Sequence, residues 1–216
     1  NHTALVVMHA WETGTAAQYP GWYRAVECLP RAQAILTNVM PSLLQAVRES
    51  GMTLLHVVSA GDYYRTYPGY QRAVELAGAS PSIPRVVADP TWEKLKHFRS
   101  QNVFVGEHNQ ADVDRGFAKL DFPATARPLP SEGIAEDAHQ LFALCQAANI
   151  NHLIYTGFAI NWCVLMSPGG MVDMGRHGMI CSALRQAVTA VENRERARSQ
   201  AHKEEALWRV ALAFGF

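Results

Sequence analysis

The run His152-Leu153-Ile154-Tyr155-Thr156 constrains the fold of this chain more than any other stretch. It is short, continuously apolar and rich in branched side chains, the pattern of a strand buried on both faces. It leads directly into Gly157-Phe158-Ala159-Ile160-Asn161-Trp162-Cys163-Val164, and then into Ser167, Pro168 and Gly169, which punctuate the entry to a helix. A thiol at the exit of a buried strand is placed where a protein can lower a cysteine pKa and use the thiolate. The same position also suits a cysteine that is only a small hydrophobe in a crossover turn.

Three more runs share this strand pattern: Thr3–Met8, Met52–Val58 and Met179–Leu184, with Asn102–Val105 as a shorter candidate. Helical periods lie between them. Ile35, Val39, Leu43 and Val47 recur every fourth residue from Arg31 to Ser50, with Pro41 set to kink or split the helix and Gly51 to close it. Further helices are expected at about Thr91–Arg99, at Glu136–Ala148, after Cys163 to about His177, and at the end through Leu207, Val210, Ala211 and Phe214. Residues 13–31 and 106–135 read as loops. Strands alternating with helices imply strand–helix–strand units, a parallel sheet and helices on both faces. Sites in such sheets lie at the carboxyl ends of strands. His9 ends the first strand and Cys163 follows a later one, so adjacent strands would bring the two side chains together.

With 216 residues, the chain is expected to form one domain over 1–216. Nineteen basic residues balance nineteen acidic ones, which leaves no electrostatic footprint for nucleic acid or an anionic membrane. No apolar run is long enough to span a membrane. The chain opens on an apolar strand without a charged leader, so no secretory signal is expected. Cys28, Cys145, Cys163 and Cys181 are widely spaced, form no CxxC and suggest neither a zinc ribbon nor a disulfide framework. A cytoplasmic protein with reduced thiols is the simplest account.

Taken together, Thr3-Ala4-Leu5-Val6-Val7-Met8-His9, the segment from Gly51 to Val57 and Gly157–Val164 resemble the first strand, second strand and nucleophile segment of the isochorismatase-like cysteine hydrolases, relatives of nicotinamidases and N-carbamoylsarcosine amidases. The resemblance implies a three-layer αβα sandwich with a mainly parallel sheet of about six strands, assembled as a homo-oligomer, a dimer or tetramer. It implies a cysteine nucleophile that attacks a C–N bond of a small amide-type substrate, helped by an aspartate base, a lysine and an oxyanion site of backbone N–H groups near the cysteine. It implies no cofactor. The sequence departs from that pattern in two places. His9 stands where the aspartate belongs, and the lysine position falls in Arg127-Pro128-Leu129-Pro130-Ser131-Glu132, which contains no lysine. In addition, Ser167 with Pro168 would start the helix one turn late and move Cys163 off its terminus.

Two functions are therefore carried forward. In the first, Cys163 is the nucleophile of a small-molecule hydrolase and His9 its base. In the second, the chain is a catalytically silent member that keeps the fold for ligand binding or assembly. Asn161 is set to cap the turn or offer an amide donor, and Trp162 and Trp11 to wall the site, with Trp22 and Tyr23 within reach. Glu132 is a candidate to orient His9 or touch substrate, and Arg127 to replace the lost positive charge. His56 reads as a core histidine, Cys145 and Cys181 as core. His9, His56 and His108 lack the tight spacing of a metal set, so no metal is expected.

Overall fold

The computed structural model describes residues 2–214. Strand β1 (Thr3–Met8) is followed by helices α1 (Pro20–Ala25), α2 (Leu29–Asn38) and α3 (Met40–Ser50), then β2 (Thr53–Val57). Helices α4 (Pro68–Ala77), α5 (Pro90–Asn102) and α6 (Glu107–Phe117) precede β3 (Gly133–Ala135) and α7 (Ala138–Ala147). The chain continues through β4 (His152–Phe158), α8 (Cys163–Met166), α9 (Met171–Arg176), β5 (Ile180–Thr189) and α10 (Ala201–Phe214).

Among the described residues, the strands form one all-parallel sheet of five in the order β3-β2-β1-β4-β5. Central β1 shows why its sequence is apolar without alternation. Leu5 and Val7 point to one face and pack with Leu36, Met40 and Leu44 of α2 and α3. Ala4, Val6 and Met8 point to the other and pack with Leu141 of α7, Met171 and Met174 of α9, and Val210 of α10. A strand covered on both faces has no polar side to show. The result is the expected three-layer αβα arrangement, with five strands against about six.

Pro41 splits the expected helix in two. Asn38 ends α2, and Pro41 sits in the first turn of α3, where a missing N–H costs no hydrogen bond. Gly51 closes α3 at φ 72°, the left-handed conformation that glycine adopts most readily.

The strand expected over Asn102–Val105 does not form. Asn102 ends α5, Val103 follows in right-handed helical conformation, and Phe104 stands edge-on to Trp162 at 5.7 Å. The sheet is instead extended by Gly133–Ala135, three residues that are too few to show a period. The expected loops at 13–31 and 106–135 also hold α1, the start of α2, and α6. These helices meet through a flat aromatic contact and not through an aliphatic stripe: a Cβ at Gly116 would fall 2.1 Å from the Trp22 ring. α4 (Pro68–Ala77) is a further helix that was not expected from the sequence. None of the described helices is long and apolar enough to cross a membrane.

Candidate active site

The exits of β1 and β4 meet because Gly157 has no side chain. Gly157 lies opposite Met8 in the ladder, at φ 111°, and a Cβ there would fall 2.0 Å from the Met8 carbonyl oxygen. On the β1 side the chain leaves the sheet at His9, whose φ is 49° and whose N–H donates to the Val57 carbonyl at 2.9 Å. On the β4 side it turns through residues 159–162 into α8. The Ile160 N–H donates to the Thr189 carbonyl at 2.9 Å, and Asn161 clamps Val191 of the neighbouring segment. Its Oδ1 accepts from the Val191 N–H at 3.0 Å while its Nδ2 donates to the Val191 carbonyl at 2.8 Å. This consumes the Asn161 amide in positioning the turn.

Cys163 is the first residue of α8, contrary to the expectation of a helix begun one turn later at Ser167. Ser167 instead ends α8, and after Pro168, Gly169 and Gly170 the chain resumes as α9. One helical turn supplies little macrodipole to a thiolate, since the aligned peptides are few. The N–H groups flanking Cys163 are engaged as well. Those of Trp162 and Val164 both donate to the Ala159 carbonyl, each at 3.1 Å.

His9 and Cys163 open on one cavity of about 330 Å³, walled by Trp11, Trp22, Phe104, Phe117, Phe158 and Trp162. Among the described residues, no Asp, Glu, Lys or Arg lines it. The His9 ring is 4% exposed, stacks on Trp11 at 4.9 Å with 11° between the planes, and finds no hydrogen-bond partner for either nitrogen. A resting hydrogen bond between His9 and Cys163 is therefore not formed. Burial pushes the His9 pKa down to about 4, so the imidazole is neutral at pH 7. Cys28 lines the same cavity, and burial first, then the Glu27 charge, pushes its thiol up to about 12.

Neither a protein-family model nor a curated protein sequence matches the chain. Solved structures do. A cysteine hydrolase from Pseudomonas syringae pv. phaseolicola 1448A is 12% identical, with 99% of this chain and 86% of that one covered, at a TM-score of 0.54. The chain shares the fold of that cysteine hydrolase. An isochorismatase family protein from Desulfovibrio vulgaris is 17% identical over 96% of this chain and 91% of that one, at a TM-score of 0.49. A nicotinamidase from Bacillus subtilis is 18% identical over 100% and 97%, also at 0.49. Identities this low speak for the fold alone.

Within this cysteine-hydrolase fold the expected site residues separate into two groups. His9, Trp11, Trp162 and Cys163 come together at the cavity, with Trp22 behind them. Glu132 and Arg127 do not line it. Glu132 is buried beside β2, where its carboxylate accepts from Arg48 at 2.7 Å, from His56 Nε2 at 2.9 Å and from the Leu129 N–H at 3.0 Å. Burial alone would raise its pKa, but His56, Arg48 and Leu129 hold the carboxyl down at about 2. His56 is itself pushed down by burial, so the pair is a neutral imidazole donating to a carboxylate, with Arg48 as the cation. Arg127 donates to Asp121 and to the Tyr67 hydroxyl, both at 2.8 Å, at the surface. Tyr23 turns away to donate to the Gly14 carbonyl at 2.7 Å.

Sequence reasoning missed Cys28, Phe104 and Phe117 as cavity residues. The signal available was partial: Tyr19, Trp22 and Tyr23 crowd the stretch 13–31 around Cys28, and exposed loops rarely hold so many aromatics, whereas nothing in the sequence marked Phe104 or Phe117.

Proposed function

We propose that the domain keeps a cysteine-hydrolase fold as a binding site for a small uncharged molecule, without the hydrolysis that a cysteine nucleophile and adjacent base would perform. The state of His9 carries this reading. A base must hold the proton it takes, and burial pushes the His9 pKa down to about 4 with no partner to stabilise an imidazolium, which makes it a weak proton acceptor. The lining offers no carboxylate or lysine to take its place. The Trp162 and Val164 N–H groups, committed to Ala159, are not open to an oxyanion. An enclosed, aromatic, uncharged cavity of this volume suits ligand binding on its own account.

One observation favours the hydrolytic reading, in which Cys163 attacks a C–N bond of a small amide with His9 as base. Both groups face the same enclosed space, and a substrate can draw apo groups into hydrogen-bond reach. Alkylation of Cys163 by iodoacetamide, followed by peptide mapping across the pH range, separates the two. The binding reading expects the same rate profile in wild type and in His9→Ala. A profile displaced to low pH by His9, or amide turnover abolished by Cys163→Ser, would establish the hydrolase instead.

A further inference from the structure

We infer that α5 is the surface through which two copies of this chain pair, antiparallel about a two-fold axis at Leu95.

α5 lacks the support that a helix of its length needs. It has 13 residues and none of them is buried. Such a helix is marginal in water without packing, and the Asp89 cap, which accepts from the Trp92 N–H at 2.9 Å, adds only a local contribution. Trp92, Leu95 and Phe98 follow one another in three-residue steps and so share one face. With Val87 just before the helix and Val103 just after it, they are between 57% and 90% exposed. Single exposed apolar residues are ordinary, but an accumulation of this kind on one short arm marks an interaction surface. The five side chains leave roughly 600 Å² of apolar surface uncovered per copy, most of the ~800 Å² that one partner contributes to a standard interface.

The order of these residues says what covers them. It is a mirror about Leu95, with Trp92 and Phe98 three positions to either side and Val87 and Val103 eight positions to either side. A two-fold interface pairs residue i with j and j with i. Two antiparallel copies of α5 crossing at Leu95 therefore set Leu95 on Leu95 and Trp92 beside the second copy's Phe98. They also put the Val87 end of one copy against the Val103 end of the other. An unrelated partner would not require this mirror order. Arg99 lies on the same face, but its guanidinium already sits over the Phe104 ring at 5.9 Å. Lys94 and Lys96 flank the face at its two edges and supply the polar rim of the contact. Each lysine meets its own copy across the axis, so added salt should strengthen the pair by screening that repulsion.

Sedimentation equilibrium on the intact chain tests this. Wild type is expected to sediment as a dimer and Leu95→Asp as a monomer, with the dissociation constant raised at least about 100-fold by two carboxylates facing each other on the axis. Leu212→Asp, exposed on α10, controls for the loss of any exposed apolar residue and is expected to stay dimeric. Leu95→Cys puts two thiols on the axis, and a short bismaleimide is expected to join them into a covalent dimer while leaving wild type uncoupled. Leu95 is 61% exposed in the single chain, so these variants keep the core, and the readout is assembly and not folding. A monomeric wild type, a dimer that survives Leu95→Asp, an equal loss in Leu212→Asp, or a Leu95→Cys dimer that the bismaleimide does not join would each overturn the inference. So would a monomer that binds phosphatidylserine vesicles through the same residues, since an apolar face edged by lysines also suits a lipid surface.

Discussion

Gly157 and Met8 face each other across the β1–β4 ladder so closely that a Cβ on Gly157 would fall 2.0 Å from the Met8 carbonyl oxygen. Backbone, not a flexible side-chain tip, occupies that space. Gly157→Ala is expected to cost roughly 3 kcal/mol or more, combining clash with a strained φ of 111°. Gly178 offers the control. Its φ is 78° with open space around it, so Gly178→Ala should cost only about 1 kcal/mol. Urea denaturation measures both, and equal losses would show that the close approach is not what makes Gly157 necessary.

His9 gives the protein an acid sensitivity in a defined window. Its folded pKa is about 4 against an ordinary 6.5, so between those values the unfolded chain binds the proton and the folded one does not. Stability therefore falls as pH drops from 6.5 to 4, by about 3 kcal/mol in all, and levels off below. In His9→Phe that slope should shrink to the part that His56, also pushed down by burial, contributes. Chemical denaturation at several pH values reads it directly, and an unchanged slope in the variant would assign it to other groups.

Glu132 acts in a lower window. Its carboxyl is held at about 2 against an ordinary 4.5, so its contribution is present above 4.5 and lost as pH falls toward 2. Glu132→Ala leaves Arg48 and His56 without their shared acceptor and is expected to destabilise by about 3–5 kcal/mol. Since Glu132 does not line the cavity, ligand affinity in the folded variant should stay within about twofold of wild type. A larger change would return Glu132 to the site.

Asn161→Ala removes both bonds that pin the Cys163 turn to Val191. Each is a local backbone contact, so the expected loss is about 1–3 kcal/mol. The freed turn should also expose the thiol, and Cys163 should alkylate faster at constant pH. An unaltered rate beside a lower stability would mean that the turn is held by the Ile160–Thr189 bond alone.

The legible parts of this fold were those with a period. The runs at 3–8, 52–58 and 152–156 became strands because a two-sided burial writes itself as continuous apolar sequence. The helix around Leu141 was legible for the same kind of reason. β3 escaped notice because Gly133-Ile134-Ala135 is too short to carry a pattern, and its place in the sheet comes from parallel pairing with β2. α1 and α6 escaped because Trp22, Gly116 and Phe117 replace an aliphatic stripe with ring contacts. In the site, Cys163 and His9 were legible as strand exits. Glu132 was not, since nothing in Pro130-Ser131-Glu132 reveals that the carboxylate turns toward Arg48, a residue far away in the chain.

β1 has β2 on one side and β4 on the other, and the covering helices lie on opposite faces of the sheet. The crossovers that leave the carboxyl ends of β1 and β4 run to opposite faces, and the gap between them is a property of chain direction. A hollow made this way does not depend on which residues line it. Mutation can therefore rewrite the reagents in the vessel one at a time without breaking the glass.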